Sequence, residues 1–195
     1  MNRFYEEKLP EGYTEALVLD ANDKVFGRKL QIAASIAAAV LISGFFFVYG
    51  PRMKEILAGF TVIKCAVFFV SYFLYIVLHE LTHGMVYKIF TRQKLTFGWK
   101  PPAACCGVPG IYLYRITSLL SLLAPFTIFT AVFAVLFFTA SDLFVKTLVF
   151  VMFALHISGC TGDLYSTGLF LFRFKSPATL RKDTGPKLIY FTKDG

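Results

Sequence analysis

Two histidines and a glutamate fall within five residues at His79-Glu80-Leu81-Thr82-His83. In a helix, positions i and i+4 project about 40° apart, so both imidazoles can hold one metal ion with Glu80 beside them as a base. Such a set performs metal-assisted hydrolysis: bound Zn²⁺ activates water and Glu80 takes up the proton. The surroundings are unusual for that chemistry, because Glu80 is the one Asp, Glu, Lys or Arg between Lys64 and Lys88.

A catalytic zinc normally has three protein ligands and an open position for water, so the histidine pair needs a partner. Every other glutamate precedes the motif, the last histidine is His156, and the later aspartates are Asp142, Asp163, Asp183 and Asp194. Depth along membrane spans separates these candidates, with flanking charges as rulers. The centre of the histidine pair lies about 7 residues, roughly 10 Å, before Lys88, and Asp163 lies roughly 15 Å before Arg173. His156 is roughly 25 Å in on the same ruler, whereas Asp142, Asp183 and Asp194 fall at or beyond the surface. Asp163 is therefore the expected third metal ligand, and a carboxylate at that depth needs a metal or a partner to offset its burial. His156 precedes Asp163 by seven residues on nearly the same helical face. It is a candidate to bind substrate or a transition-state oxyanion, and equally a satisfied interior histidine.

The elements that must carry these residues are read as membrane spans. The chain of 195 residues is 56% hydrophobic and 16% charged, too apolar for an ordinary soluble domain. Four stretches, 30–51, 65–87, 116–141 and 147–172, exceed the roughly 20 residues a spanning helix requires, with Glu80 and Asp163 as their sole Asp, Glu, Lys or Arg residues. The expected fold class is an all-α membrane protein of about four transmembrane helices, with a short β-like loop between helices two and three. The expected domains are a cytoplasmic segment 1–29, a transmembrane metalloprotease domain 30–174 and a cytoplasmic tail 175–195.

Of the 20 Lys and Arg residues, all but Arg52, Lys54, Lys64 and Lys146 sit in the N-terminal segment, the second loop or the tail. The positive-inside rule then places both termini and that loop in the cytoplasm of a multi-pass cell-membrane protein. Bases at span ends are ordinary for membrane proteins, so the net charge of +8 does not point to nucleic acid. Cys65 and Cys160 fall in spans, and adjacent Cys105 and Cys106 make a poor chelate for one ion.

Between spans two and three the pattern changes. Leu95-Thr96-Phe97-Gly98-Trp99 favours a strand, while Pro101-Pro102, Gly107 and Pro109-Gly110 exclude a continuous helix. A strand edge there could accept an extended peptide. Pro125 should loosen span three, Ser158 to Gly162 form a patch of small residues leading to Asp163, and Lys187 to Phe191 can form one strand.

The chain resembles the site-2 protease group of intramembrane metalloproteases. More closely it resembles the small bacterial family of putative zincin peptidases catalogued as a domain of unknown function. The matching residues are Leu9-Pro10-Glu11-Gly12-Tyr13, His79-Glu80-Leu81-Thr82-His83-Gly84 and His156-Ile157-Ser158-Gly159-Cys160-Thr161-Gly162-Asp163-Leu164. The resemblance implies zinc at His79, His83 and Asp163, activation of water by Glu80, and a membrane protein or peptide as substrate within the lipid bilayer. It departs from the wider group in the last motif, where Gly162-Asp163-Leu164 stands without a preceding proline. Two other readings use the same residues: a catalytically silent scaffold or regulator that keeps its metal, and a metal transporter.

Overall fold

The computed structural model describes residues 4–100 and 103–193. Short strands β1 (Tyr5–Glu6) and β2 (Tyr13–Asp20) lead into α1 (Lys24–Tyr49), whose start is capped by Asp23 Oδ1 accepting from the Val25 and Phe26 amides. Gly50-Pro51 ends α1, and α2 (Met53–Ala58) precedes α3 (Val62–Thr91). Thr61 Oγ1 accepts from the Lys64 amide at the start of α3, and Arg92 at φ 56° closes it. The hairpin β3 (Thr96–Lys100) and β4 (Ala103–Gly107) follows, then β5 (Tyr112–Tyr114), α4 (Arg115–Thr139), α5 (Leu143–Gly159) and α6 (Thr161–Gly168). A π-helical turn, Leu169–Arg173, leads to β6 (Leu180–Asp183) and β7 (Lys187–Lys193).

Among the described residues, three helical segments are long and apolar enough to cross a membrane: Lys24–Ala58, Val62–Thr91 and Arg115–Thr139. The pair Leu143–Gly159 and Thr161–Arg173 meets the same test when taken as one broken span. These helices leave large side chains such as Phe47, Val70 and Phe138 uncovered, as lipid-facing helices do.

The all-α expectation is overturned by the sheets. Five strands form an antiparallel sheet in the order β1-β5-β6-β7-β2, and β3 pairs with β4 in a second, two-stranded sheet. The chain is therefore a mixed helix and sheet protein. The large sheet escapes a local reading because two of its strands have only two and three residues, and its members come from the two ends of the chain and the segment before α4. In such a sheet the pairing partners, and not local propensity, decide the structure.

Contacts divide the chain into two units, one of Met1–Lys29, Val77–Pro125 and Gly162–Gly195 and another of Leu30–Ile76 and Phe126–Thr161. The first contains both sheets. One of its clusters gathers Leu19, Leu122, Phe170, Phe174 and Tyr190, and another Tyr87, Cys106, Val108, Ile111 and Leu113. The second unit is helical and centres on Tyr75, Phe133 and Met152, with Lys64 paired to Asp142 at 2.7 Å.

Candidate metal centre

The i, i+4 spacing on α3 sets His79 and His83 on one face, both buried, with their Nε2 atoms 3.3 Å apart. Asp163, in the first turn of α6, brings Oδ2 to 3.3 Å from His79 Nε2 and 3.4 Å from His83 Nε2. The three atoms form a nearly equilateral triangle. Ligands in a tetrahedral shell with bonds of roughly 2.0 Å are separated by about 3.3 Å, so this donor set has the chemistry and the spacing that Zn²⁺ requires.

His83 is oriented from behind by α4. Its Nδ1 donates to the Ser121 carbonyl at 3.0 Å, which leaves the lone pair of neutral His83 on Nε2, facing His79 and Asp163. In a regular helix the Ser121 carbonyl would accept the amide of the residue four positions later. That residue is Pro125, which has no N–H. The proline within α4 thus leaves free the carbonyl that the metal-site histidine uses.

Glu80 is partly buried, and its ligand oxygen lies in one group with those of His79 and His83, all within 4.8 Å of one another. The backbone amide of Cys106 on β4 lies beside its carboxylate. The hairpin reaches this close because Gly84 follows His83: a Cβ there would meet Leu95 Cδ1 at 3.1 Å and Cys106 Sγ at 3.2 Å. Between α3 and the hairpin lies a cavity of about 350 Å³, lined by Val77, Glu80, Leu81, Phe97, Gly98 and Cys105 with Ala104. Burial, followed by the Glu80 and Asp183 carboxylates, pushes the Cys106 thiol up to about 12.

His156 lies in the second unit. It is fully buried, its Nδ1 sits 2.8 Å from Tyr75 Oη and its Nε2 3.2 Å from Thr130 Oγ1, and Phe126, Phe129, Phe133 and Phe153 surround the ring. Asp142 is an exposed helix cap of α5 and pairs with Lys64. Asp183, expected at the surface, is buried on β6. Asp194 lies outside the described residues.

The residues that sequence reasoning passed over are Ser121, Tyr87 and Arg181. Ser121 contributes through its backbone, which no residue pattern reveals. Tyr87 did leave a signal, since His79, His83 and Tyr87 repeat at i, i+4 and i+8 along one helical face.

A family model described as putative zincin peptidase (DUF3267) matches residues 72–177, more than half of the chain, from within α3 to beyond α6. No curated protein and no solved structure matches.

Proposed function

The chain belongs to the putative zincin peptidase family, and from that premise we propose that it is a zinc-dependent membrane endopeptidase that cleaves membrane-associated peptides in the manner of site-2 proteases. The observation that carries this reading is the triangle of His79, His83 and Asp163 donor atoms with Glu80 alongside, on a helix apolar enough to cross a bilayer. His79, His83 and Asp163 hold the ion. Bound zinc supplies the Lewis acidity that polarises a peptide carbonyl and makes water nucleophilic at neutral pH.

Glu80 takes a proton from the attacking water as its oxygen adds to the scissile carbonyl carbon. It returns that proton to the departing amine nitrogen as the C–N bond breaks. The Cys106 N–H steadies the carboxylate in both steps, and the hairpin edge offers backbone groups to an unwound substrate. The uneven spread of Lys and Arg supports cytoplasmic termini and a site on the cytoplasmic side of the midplane.

Glu80→Gln, purified and reconstituted in liposomes with a transmembrane peptide, should keep stoichiometric zinc and lose at least about 10²-fold in cleavage rate. Wild-type turnover by that variant removes the base assignment. A wild type that purifies without zinc removes the metal reading altogether.

A further inference from the structure

The buried ionic groups around this centre extend past its ligands. Tyr87, one turn beyond His83 on α3 and 1% exposed, donates its hydroxyl proton to Asp183 Oδ2. The same hydroxyl accepts from Arg181 Nη2 at 2.7 Å, and that nitrogen lies 3.3 Å from Asp183 Oδ2. Ser121, whose carbonyl holds the His83 ring, lies close to the Tyr87 hydroxyl. A row of neighbouring polar groups therefore leads from His83 past Ser121 and Tyr87 to Arg181 and Asp183 on β6.

Arg181 is fully enclosed, which is costly for a guanidinium. Hydrogen bonding repays only part of that cost, because Nε and Nη1 have no partner among the described residues. Burial works against its charge, yet the oxygens of Tyr87 and Asp183 hold the guanidinium above its ordinary range, and Asp163 acts on it as well. The charges explain why a cation belongs there. Pairing Arg181 with Asp183 cancels one charge of each sign, which leaves the two negative charges of Glu80 and Asp163 for a divalent ion to neutralise.

We infer that Arg181, held by β6 against Asp183 and Tyr87, is a positioning residue of the metal centre: it balances the third carboxylate and, through Tyr87 one turn beyond His83 on the same face of α3, fixes the helical face that presents both histidines. The sheet strand β6 then belongs to the metal site, although the family match ends at residue 177. This inference rests on the zinc reading of His79, His83 and Asp163.

The test is zinc affinity of the full-length protein in detergent, measured by competition with a chromophoric chelator, together with the visible spectrum of the Co²⁺-loaded form. Arg181→Met should weaken zinc binding by about 3- to 10-fold, less than the 10- to 100-fold of losing a direct partner of a metal ligand because it acts through Tyr87. Arg181→Met with Asp183→Asn, which removes one charge of each sign, should recover part of that loss. Tyr87→Phe deletes a single hydroxyl and should stay folded, lower the affinity several-fold and shift the Co²⁺ bands.

Wild-type affinity and spectrum in folded Tyr87→Phe and Arg181→Lys overturn the inference, even where Arg181→Met fails to fold. A double variant no better than Arg181→Met removes the charge-balance part. A wild type that binds neither metal refutes the zinc reading and this inference with it, whereas zinc bound equally by wild type and all variants refutes the inference alone.

Discussion

At the scale of single residues, the proposed metal centre is built from one helical repeat and one missing proton donor. The repeat aligns His79 with His83, and Pro125 leaves the Ser121 carbonyl to the His83 ring. Restoring an amide at 125 puts a competitor on that carbonyl. Pro125→Ala should regularise α4 and weaken zinc binding by about 3- to 10-fold, below the full loss of an outer partner because the carbonyl can be shared. Unchanged chelator competition in Pro125→Ala refutes this role. The ligand set has its own test in metal analysis of purified variants: Asp163→Ala should lose zinc and His156→Ala should retain it. Loss in His156→Ala alone would replace Asp163 with His156 as third ligand.

At the scale of elements, the hairpin β3–β4 is held at α3 by glycines where backbones or sulfur approach closely. A Cβ at Gly107 would lie 2.4 Å from the Gly185 nitrogen and 2.7 Å from the Thr184 carbonyl carbon, both backbone atoms that cannot swing aside. Gly107→Ala should therefore cost about 1–3 kcal/mol, read as a lower thermal midpoint, and should loosen the Cys106 amide from Glu80. A midpoint equal to wild type shows that the hairpin can move away without penalty. The thiols report the same packing. A thiol that ionises near 12 is protonated at pH 8, so Cys106 should resist iodoacetamide there and react faster only as pH rises. Rapid native-state labelling of Cys106 at pH 8, located by mass spectrometry, refutes the packed hairpin.

What the residues disclosed and concealed also divides by element. The spans announce themselves because about 20 apolar residues in a row have few other uses, and His79, His83 and Asp163 could be matched by depth because charges mark the span ends. The large sheet could not be read this way. Leu180-Arg181-Lys182-Asp183 looks like a solvated tail, yet its period of two turns Arg181 and Asp183 to one face, where pairing with β7 and contact with Tyr87 bury both. Burial of charge on a four-residue strand depends on partners nearly a hundred positions away, and no local signal carries it.

At the scale of the whole molecule, one topology must serve the metal centre and the charge distribution together. Sixteen of the 20 Lys and Arg residues fall in the N-terminal segment, the second loop and the tail, so an even number of crossings between each successive pair of these segments satisfies the positive-inside rule. The five-stranded sheet makes the same demand independently. β1 and β2 from the N-terminal segment, β5 from the second loop, and β6 and β7 from the tail are hydrogen-bonded members of one sheet, so the expected topology puts all three segments on one side of the bilayer. On that expected topology Leu143–Gly159 with Thr161–Arg173 crosses as one broken span, since three crossings alone would strand the tail opposite β1 and β2. The expected result is cytoplasmic placement of both ends. Green fluorescent protein fused after Gly195 should fluoresce in bacterial cells, and alkaline phosphatase at the same position should be inactive. A single cysteine replacing Thr14 in a cysteine-free variant should be shielded from membrane-impermeant maleimide until the cells are opened. Phosphatase activity at the C-terminus combined with a shielded Thr14 position would separate strands that the fold pairs, and would refute the sheet and the topology together.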